Sequence, residues 1–316
     1  LVIEAVVENM DVKKKVLQEA ENALGETAIF ASNTSSLSIT ELATASKRPQ
    51  NVVGMHFFNP VPKMPLIEVI RGEKTSDRAA MAVFELSKRL GKTPIVVKDG
   101  PGFLVNRLLL PYLNEASYLI GEGAPIEELD KAVLAFGMPM GPATLLDEVG
   151  LDVGTKVSKI LYKGFGERML PCKLHDKLNE AKLLGKKGGK GFYLYDAQGR
   201  QTGLNPDIYT VLRVKPTSPT KAQREDWIPR VILPIINEAA LCLAEGVVAE
   251  AQDVDLGMIM GTGFPPFRGG PLRYADSLGA EAIVKKLREL VKIGGARYEP
   301  CAPLVEMAKR GQKFYS

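Results

Sequence analysis

The chain is short of the residues that would place it in several broad classes. Its three cysteines, Cys172, Cys242 and Cys301, lie far apart with no CxxC pair, which argues against a disulfide framework and a zinc site and suits a reducing compartment. No apolar run reaches about 18 residues, the length expected of a spanning helix, so no integral membrane segment is predicted. The first residues lack a basic signal-peptide region, and the last are not Ser-Lys-Leu, which leaves a bacterial cytoplasm or a mitochondrial matrix as the expected location. Neither sign of charge dominates: 41 basic and 37 acidic residues give a net +4. With the basic residues dispersed, there is no electrostatic case for nucleic acid, while an anionic small ligand stays open. No GxGxxG or GxxxxGK[ST] motif occurs. GTGFPPF at Gly261 lacks the third glycine, and GKKGGKGF at Gly185–Phe192 is best read as a basic turn.

At 316 residues, with 45% hydrophobic and 25% charged, the chain suits a globular protein of about two domains. From Leu1 to about Gly100, the apolar runs LVIEAVV, AIFAS, NVVGMHFF, PLIEVI and TPIVV alternate with helical patterns, as in a mainly parallel α/β sheet. Asp11 is expected to cap a helix to about Leu24. Ser38 with Glu41 forms a capping box, and a further helix is expected over about Asp77–Leu90. The opening at Leu1, inside a strand-like run with no initiator Met, predicts that further strands precede it and that residues 1–100 are an incomplete doubly wound domain.

Beyond Lys98-Asp99-Gly100-Pro101-Gly102, helical periodicity takes over. NRLLLPYLNEASYLIGEG at Asn106–Gly123 aligns without a gap with PRVILPIINEAALCLAEG at Pro229–Gly246. The match continues through Gly141-Pro142 with Gly270-Pro271, Asp147 with Asp276, and Gly150 with Gly279. A duplication is therefore predicted, with one copy over 101–202, a polar linker over 203–226, and a second copy over 227–316. The apolar faces of two such copies are buried most simply against one another, as a pseudo-dimer.

Only two histidines are available as a base. His56 ends the strand NVVGMH, and open α/β sheets place reactive groups at strand carboxyl ends. His175 sits in the charged stretch KLHDKL and reads as surface. Glu68 interrupts the apolar strand PLIEVI, where a buried carboxylate needs a partner, and His56 is the natural one. A carboxylate that accepts from one imidazole nitrogen fixes the tautomer and leaves the other as a general base. An edge strand with Glu68 facing water is the competing reading. Ser32-Asn33-Thr34-Ser35-Ser36 offers hydroxyls and an amide between a strand and a helix, and reads equally as a capping loop. Asn106 has Pro229 as its repeat partner, which favours a site role, because a duplicated scaffold needs a site residue only once.

Taken together, LVIEAVVEN, ASNTSSLSI, GMHFFNPVPKMPLIEVI, KDGPGFLVNRLLLPYLNEA, PMGPATLLDEVGLD and GKKGGKGFY resemble the 3-hydroxyacyl-CoA dehydrogenase family. The second copy, with GFPPFRGGPLRYAD, resembles the carboxyl end of multifunctional β-oxidation α-subunits, which carry an enoyl-CoA hydratase upstream and often associate with a thiolase β-subunit. The resemblance implies a Rossmann-type domain followed by two tandem, mostly helical dehydrogenase C-terminal domains. It implies NAD-dependent interconversion of 3-hydroxyacyl-CoA and 3-ketoacyl-CoA, with His56 as base, Glu68 as its orienting partner, and Asn106 and Ser35 at the substrate oxygen. It assigns Val6, Val7, Glu8, Lys13, Ser35 and Asn59 to NAD contacts, with Lys187 reaching the cofactor on domain closure. The family's first strand, glycine loop and first helix have no counterpart here. Two other readings stay open: a dehydrogenase of a small hydroxy acid, separable by thioester against free-acid kinetics, and a noncatalytic, partner-binding scaffold, separable by NAD binding.

Overall fold

A computed structural model describes residues 1–315. The chain divides into two compact units, Leu1–Arg107 with Leu241–Gly263, and Leu108–Ala240 with Phe264–Ser316.

The first unit holds a five-stranded sheet in the order β1 (Val2–Glu4), β2 (Phe30–Ser32), β3 (Val52–Phe57), β4 (Leu66–Arg71) and β5 (Thr93–Lys98). Every pair is parallel except β3 with β4. The β-branched and aliphatic runs form these strands, and side-chain alternation decides what each face does. Val53, Met55, Ile67 and Val69 pack on α3 (Asp77–Arg89) through Ala79, Ala80 and Val83, each large aliphatic contributing about 1.5–3 kcal/mol on burial. His56 and Glu68, directly paired across β3 and β4, belong to the opposite set. Helix α1 (Met10–Ala23) is capped by Asn9, whose side chain accepts from Val12 N. Asp11 lies inside the first turn, where its charge suits the helix N-terminus, so the expected cap is displaced by two residues. Ser38 caps α2 (Ile39–Ala43) by accepting from Glu41 N, and Ser76 caps α3 by accepting from Ala79 N.

Helix α4 (Val105–Gly121) leads out of the first unit. In chain order there follow α5 (Ile126–Phe136), α6 (Pro142–Val149), α7 (Leu151–Phe165), α8 (Leu174–Glu180), the hairpin of β6 (Tyr193–Tyr195) and β7 (Gln201–Leu204), and α9 (Ile208–Leu212). Then come α10 (Lys221–Ala244), α11 (Ala251–Thr262), α12 (Pro271–Leu278), α13 (Ala280–Gly294) and α14 (Ala302–Arg310). The series α4 to α8 recurs as α10 to α14, including a short 3-10 turn at Gly166–Met169 that returns at Gly295–Tyr298.

Side-chain contacts in the second unit repeat with the helices. Asn114 accepts from Cys172 N and donates to Leu170 O, while Asn237 accepts from Cys301 N and donates to Glu299 O, all at 2.8 Å. The ion pairs cross between copies: Glu115 binds Arg297, and its counterpart Glu238 binds Arg168 at 3.1 Å. This reciprocity is what a pseudo-two-fold arrangement of two like halves produces.

The structure departs from the expected boundaries in two places. Residues 203–226, expected to be a linker, carry the end of β7, all of α9 and the start of α10, because Ile208 and Leu212 supply a buried apolar face. Within the second copy, expected over 227–316, the stretch Leu241–Gly263 groups with the sheet unit. Helix α10 is also long and apolar enough to cross a membrane by length and composition, but 72% of that stretch is buried within the protein. It reads as a core helix.

Candidate active site

The centre of the site is a paired histidine and carboxylate. His56 Nδ1 lies 2.7 Å from Glu68 Oε2, and both side chains are buried. Because an ionised carboxylate only accepts, Nδ1 is the donor, which leaves Nε2 as the acceptor nitrogen of the ring. The other oxygen, Glu68 Oε1, accepts from Leu104 N at 3.1 Å and Val105 N at 3.0 Å. These amides open α4 and have no intrahelical acceptor, so a buried carboxylate and a helix start satisfy one another. Gly102 and Phe103 bend the chain for this, with φ of +72° and +51°. The second is a left-handed conformation that a phenylalanine rarely adopts. The rings of Phe58 and Phe103 stand 4.4 and 5.9 Å from that of His56 and give it an apolar surround.

Asn106, one residue along α4, donates from Nδ2 to Ser35 O at 3.0 Å, which joins the helix start to the loop after β2. Glu8 organises that loop: its Oε1 accepts from Thr34 Oγ1 at 2.6 Å, Ser35 N at 2.9 Å and Ser36 N at 3.2 Å. Asn33 ties the loop to β3 by accepting from Phe57 N at 3.2 Å. His56, Glu68, Asn106, Ser35 and Glu8 therefore occupy one connected network at the strand ends. Val6 and Val7, just past β1, are 38% and 68% exposed. An exposed apolar pair at the carboxyl end of a parallel strand fits the ring system of a dinucleotide. Asn59 is exposed beside the His56 strand end.

Lys13 differs from its expected role. It is fully buried, and its ammonium donates to both oxygens of Glu4, at 2.8 and 3.0 Å, and to Asn33 O at 3.1 Å. With its hydrogen bonds spent inside the fold, it shapes the loop rather than presenting a charge to a ligand. His175 also differs, being buried rather than superficial: Nε2 meets Ser117 Oγ at 2.8 Å, and burial pulls its imidazole down to about 4. Lys187 belongs to the second unit, half-exposed, with Nζ 2.8 Å from Asp152 Oδ2. The lysine holds the Asp152 carboxyl below its ordinary range. The glycine-rich turn around it is shaped by Asp147, since a Cβ at Gly191 would lie 1.9 Å from Asp147 Oδ1 and one at Gly185 2.4 Å from Asp147 O.

Glu4 and the amides of Leu104 and Val105 were not anticipated. Glu4 was legible in principle, because it interrupts the apolar strand LVIEAVV just as Glu68 interrupts PLIEVI. The amides carry no side-chain signal.

Residues 1–100 match the family model described as 3-hydroxyacyl-CoA dehydrogenase, NAD binding domain. Residues 102–195 and 228–314 match the one described as 3-hydroxyacyl-CoA dehydrogenase, C-terminal domain. The chain belongs to the 3-hydroxyacyl-CoA dehydrogenase family. Its Rossmann-type sheet domain is the part that the NAD-binding model matches, and the C-terminal model matches two stretches, as the repeat requires. The fatty acid oxidation complex subunit alpha of Shewanella loihica is 48% identical over 315 residues, covering 100% of this chain and 44% of that protein. The chain thus spans less than half the length of such curated relatives. Among solved structures, 3-hydroxybutyryl-CoA dehydrogenase from Escherichia coli K12 superposes with a TM-score of 0.83 at 28% identity, covering 98% of this chain and 81% of that one. The dehydrogenase part of multifunctional enzyme 1 from C. elegans gives 0.68 at 31% identity, with 96% and 70% coverage.

Proposed function

We propose that the chain catalyses NAD-dependent oxidation of (S)-3-hydroxyacyl-CoA to 3-ketoacyl-CoA in fatty-acid β-oxidation, with His56 as the general base. The observation that carries this reading is the buried His56–Glu68 pair, anchored by two backbone amides, with Nδ1 engaged by the carboxylate and Nε2 left as the acceptor nitrogen. NAD, when bound, supplies the acceptor for the hydride leaving C3. His56 Nε2 takes the proton of the 3-hydroxyl, and Glu68 holds the ring in the tautomer that permits it. Asn106, with Ser35, orients the oxygen that becomes the carbonyl. Val6, Val7, Glu8, Ser35 and Asn59 line the cofactor side, Lys13 acts there through Glu4 and the loop, and Lys187 supplies a positive charge when the cofactor is held.

The names of the relatives support a partner subunit within a larger complex, and a thiolase β-subunit is the partner proposed. Comparing kcat/KM for acetoacetyl-CoA and free acetoacetate tests the substrate class. Thioester turnover at least a hundredfold the more efficient is expected, and a preference for the free acid would overturn it.

A further inference from the structure

One helix of the duplicated half serves the sheet unit. α11 groups with β1–β5, whereas α5, its counterpart in the first copy, lies in the second unit. It packs on β4 and β5 from the face that carries His56 and Glu68. There its backbone meets the start of α4 closely: a Cβ at Gly257 would stand 3.0 Å from Leu104 Cδ2, and one at Gly261 3.3 Å from both methyls of Val105. Leu104 and Val105 are fully buried. They are gripped twice, their side chains by α11 and their amides by Glu68 Oε1.

We propose that Leu104 and Val105 are positioning residues for the reaction, transmitting the packing of α11 to Glu68 and so to His56. The second helical copy then has a role in the chemistry besides completing a pseudo-dimer. The physical basis is the stiffness of the chain between the two grips. Val105 is β-branched with few rotamers, and the Gly102–Phe103 bend before it is left-handed at both residues. Neither absorbs a shift cheaply, so a displacement of a few tenths of an ångström at Val105 passes to its amide. A methyl added at Gly261 requires such a displacement. The other atom it would meet, Leu66 Cδ2 at 2.7 Å, is the far end of a flexible side chain and can move aside. At Gly257 the added methyl presses only on flexible ends, Ile95 Cδ1 at 2.9 Å and Leu104 Cδ2, and meets Val105 Cγ2 at 3.8 Å, an ordinary contact.

This inference rests on His56 being the base, and its test separates the two ideas. In the intact protein that carries this chain, Gly261→Ala and Val105→Ala are each expected to lower kcat about tenfold, with KM for NADH within about twofold, because small misplacement of a catalytic group costs rate more than binding. The double variant is expected to regain most of the loss, as the new methyl fills the space that valine vacates. If Gly261→Ala does not fold, Gly257→Ala is the milder replacement, expected to lower kcat by less. Folded variants with unchanged kcat, or losses that multiply in the double variant, would overturn the inference. His56→Gln run in parallel distinguishes the cases: its inactivity beside a fully active Gly261→Ala sinks only the positioning role, whereas its full activity sinks the base assignment.

Discussion

Asp147 and Asp276, at equivalent places in the two helical copies, hold the chain in the same way. Asp147 accepts from Phe192 N and Tyr193 N, both at 2.9 Å, and Asp276 accepts from Phe314 N at 2.8 Å and Tyr315 N at 3.0 Å. Each pins a Phe-Tyr segment against its own helix. Asp147 is fully buried and also accepts from Tyr195 Oη, while Asp276 is partly exposed. Replacing either by alanine strands two amide donors, at about 1–3 kcal/mol for a buried group. Asp147→Ala is expected at or above the top of that range and Asp276→Ala near the bottom, with urea denaturation as the measure. Equal losses would show that burial does not set the cost.

Two buried groups titrate in opposition. Burial holds His175 neutral down to about 4, against 6.5 in the unfolded chain. Between those values the unfolded state binds more protons, so this group lowers stability as pH falls from 6.5 to 4. Burial pushes Asp147 up to about 6 from 3.8, so the folded state takes that proton first, and stability falls as pH rises through that window. The two contributions offset each other in the parent chain. Removing one with His175→Gln exposes the other. The stability advantage of the parent over the variant is expected to shrink by about 3 kcal/mol from pH 6.5 to 4. A constant difference across that range would contradict the assignment.

The crossed ion pairs between copies differ in burial. Glu115 is 1% exposed and serves Arg297 and Tyr298, whereas Glu238 faces Arg168, whose side chain is 32% exposed. Breaking a buried pair on one side costs about 3–5 kcal/mol. Glu115→Ala is expected to approach that figure and Glu238→Ala to fall short of it. Thermal melts of both, with Glu115→Ala/Arg297→Ala recovering part of the loss, check this.

Two lysines assigned to the cofactor should separate by assay. Lys13→Ala leaves Glu4 buried without its cation and is expected to cost about 3–5 kcal/mol. Lys187→Ala removes a half-exposed pair with Asp152, worth about 0–1 kcal/mol, and is expected to raise KM for NADH with the melting temperature unchanged. A stability loss at Lys187 equal to that at Lys13 would reverse the distinction.

Strand periodicity made all five sheet strands legible, and the repeat made the helical pairing legible, because both patterns are local or self-referential. The partner found for Glu68 is the one its sequence context required. Three features were hidden for physical reasons. His175 reads as a surface residue and Lys13 as a cofactor contact, because charge in sequence says nothing about a buried partner, Ser117 or Glu4, elsewhere in the chain. The transfer of α11 to the sheet unit depends on close approach at Gly257 and Gly261, which sequence alone does not aim. The amides that hold Glu68 are backbone groups and leave no mark at all.

The most direct measurement is acetoacetyl-CoA-dependent oxidation of NADH by the parent, His56→Gln and Glu68→Gln, with circular dichroism and NADH binding recorded alongside. The account expects turnover in the parent. In folded, NADH-binding variants it expects a loss of at least about a hundredfold at His56, as for removal of a general acid–base catalyst, and a smaller loss at Glu68. Undiminished turnover in His56→Gln would contradict it.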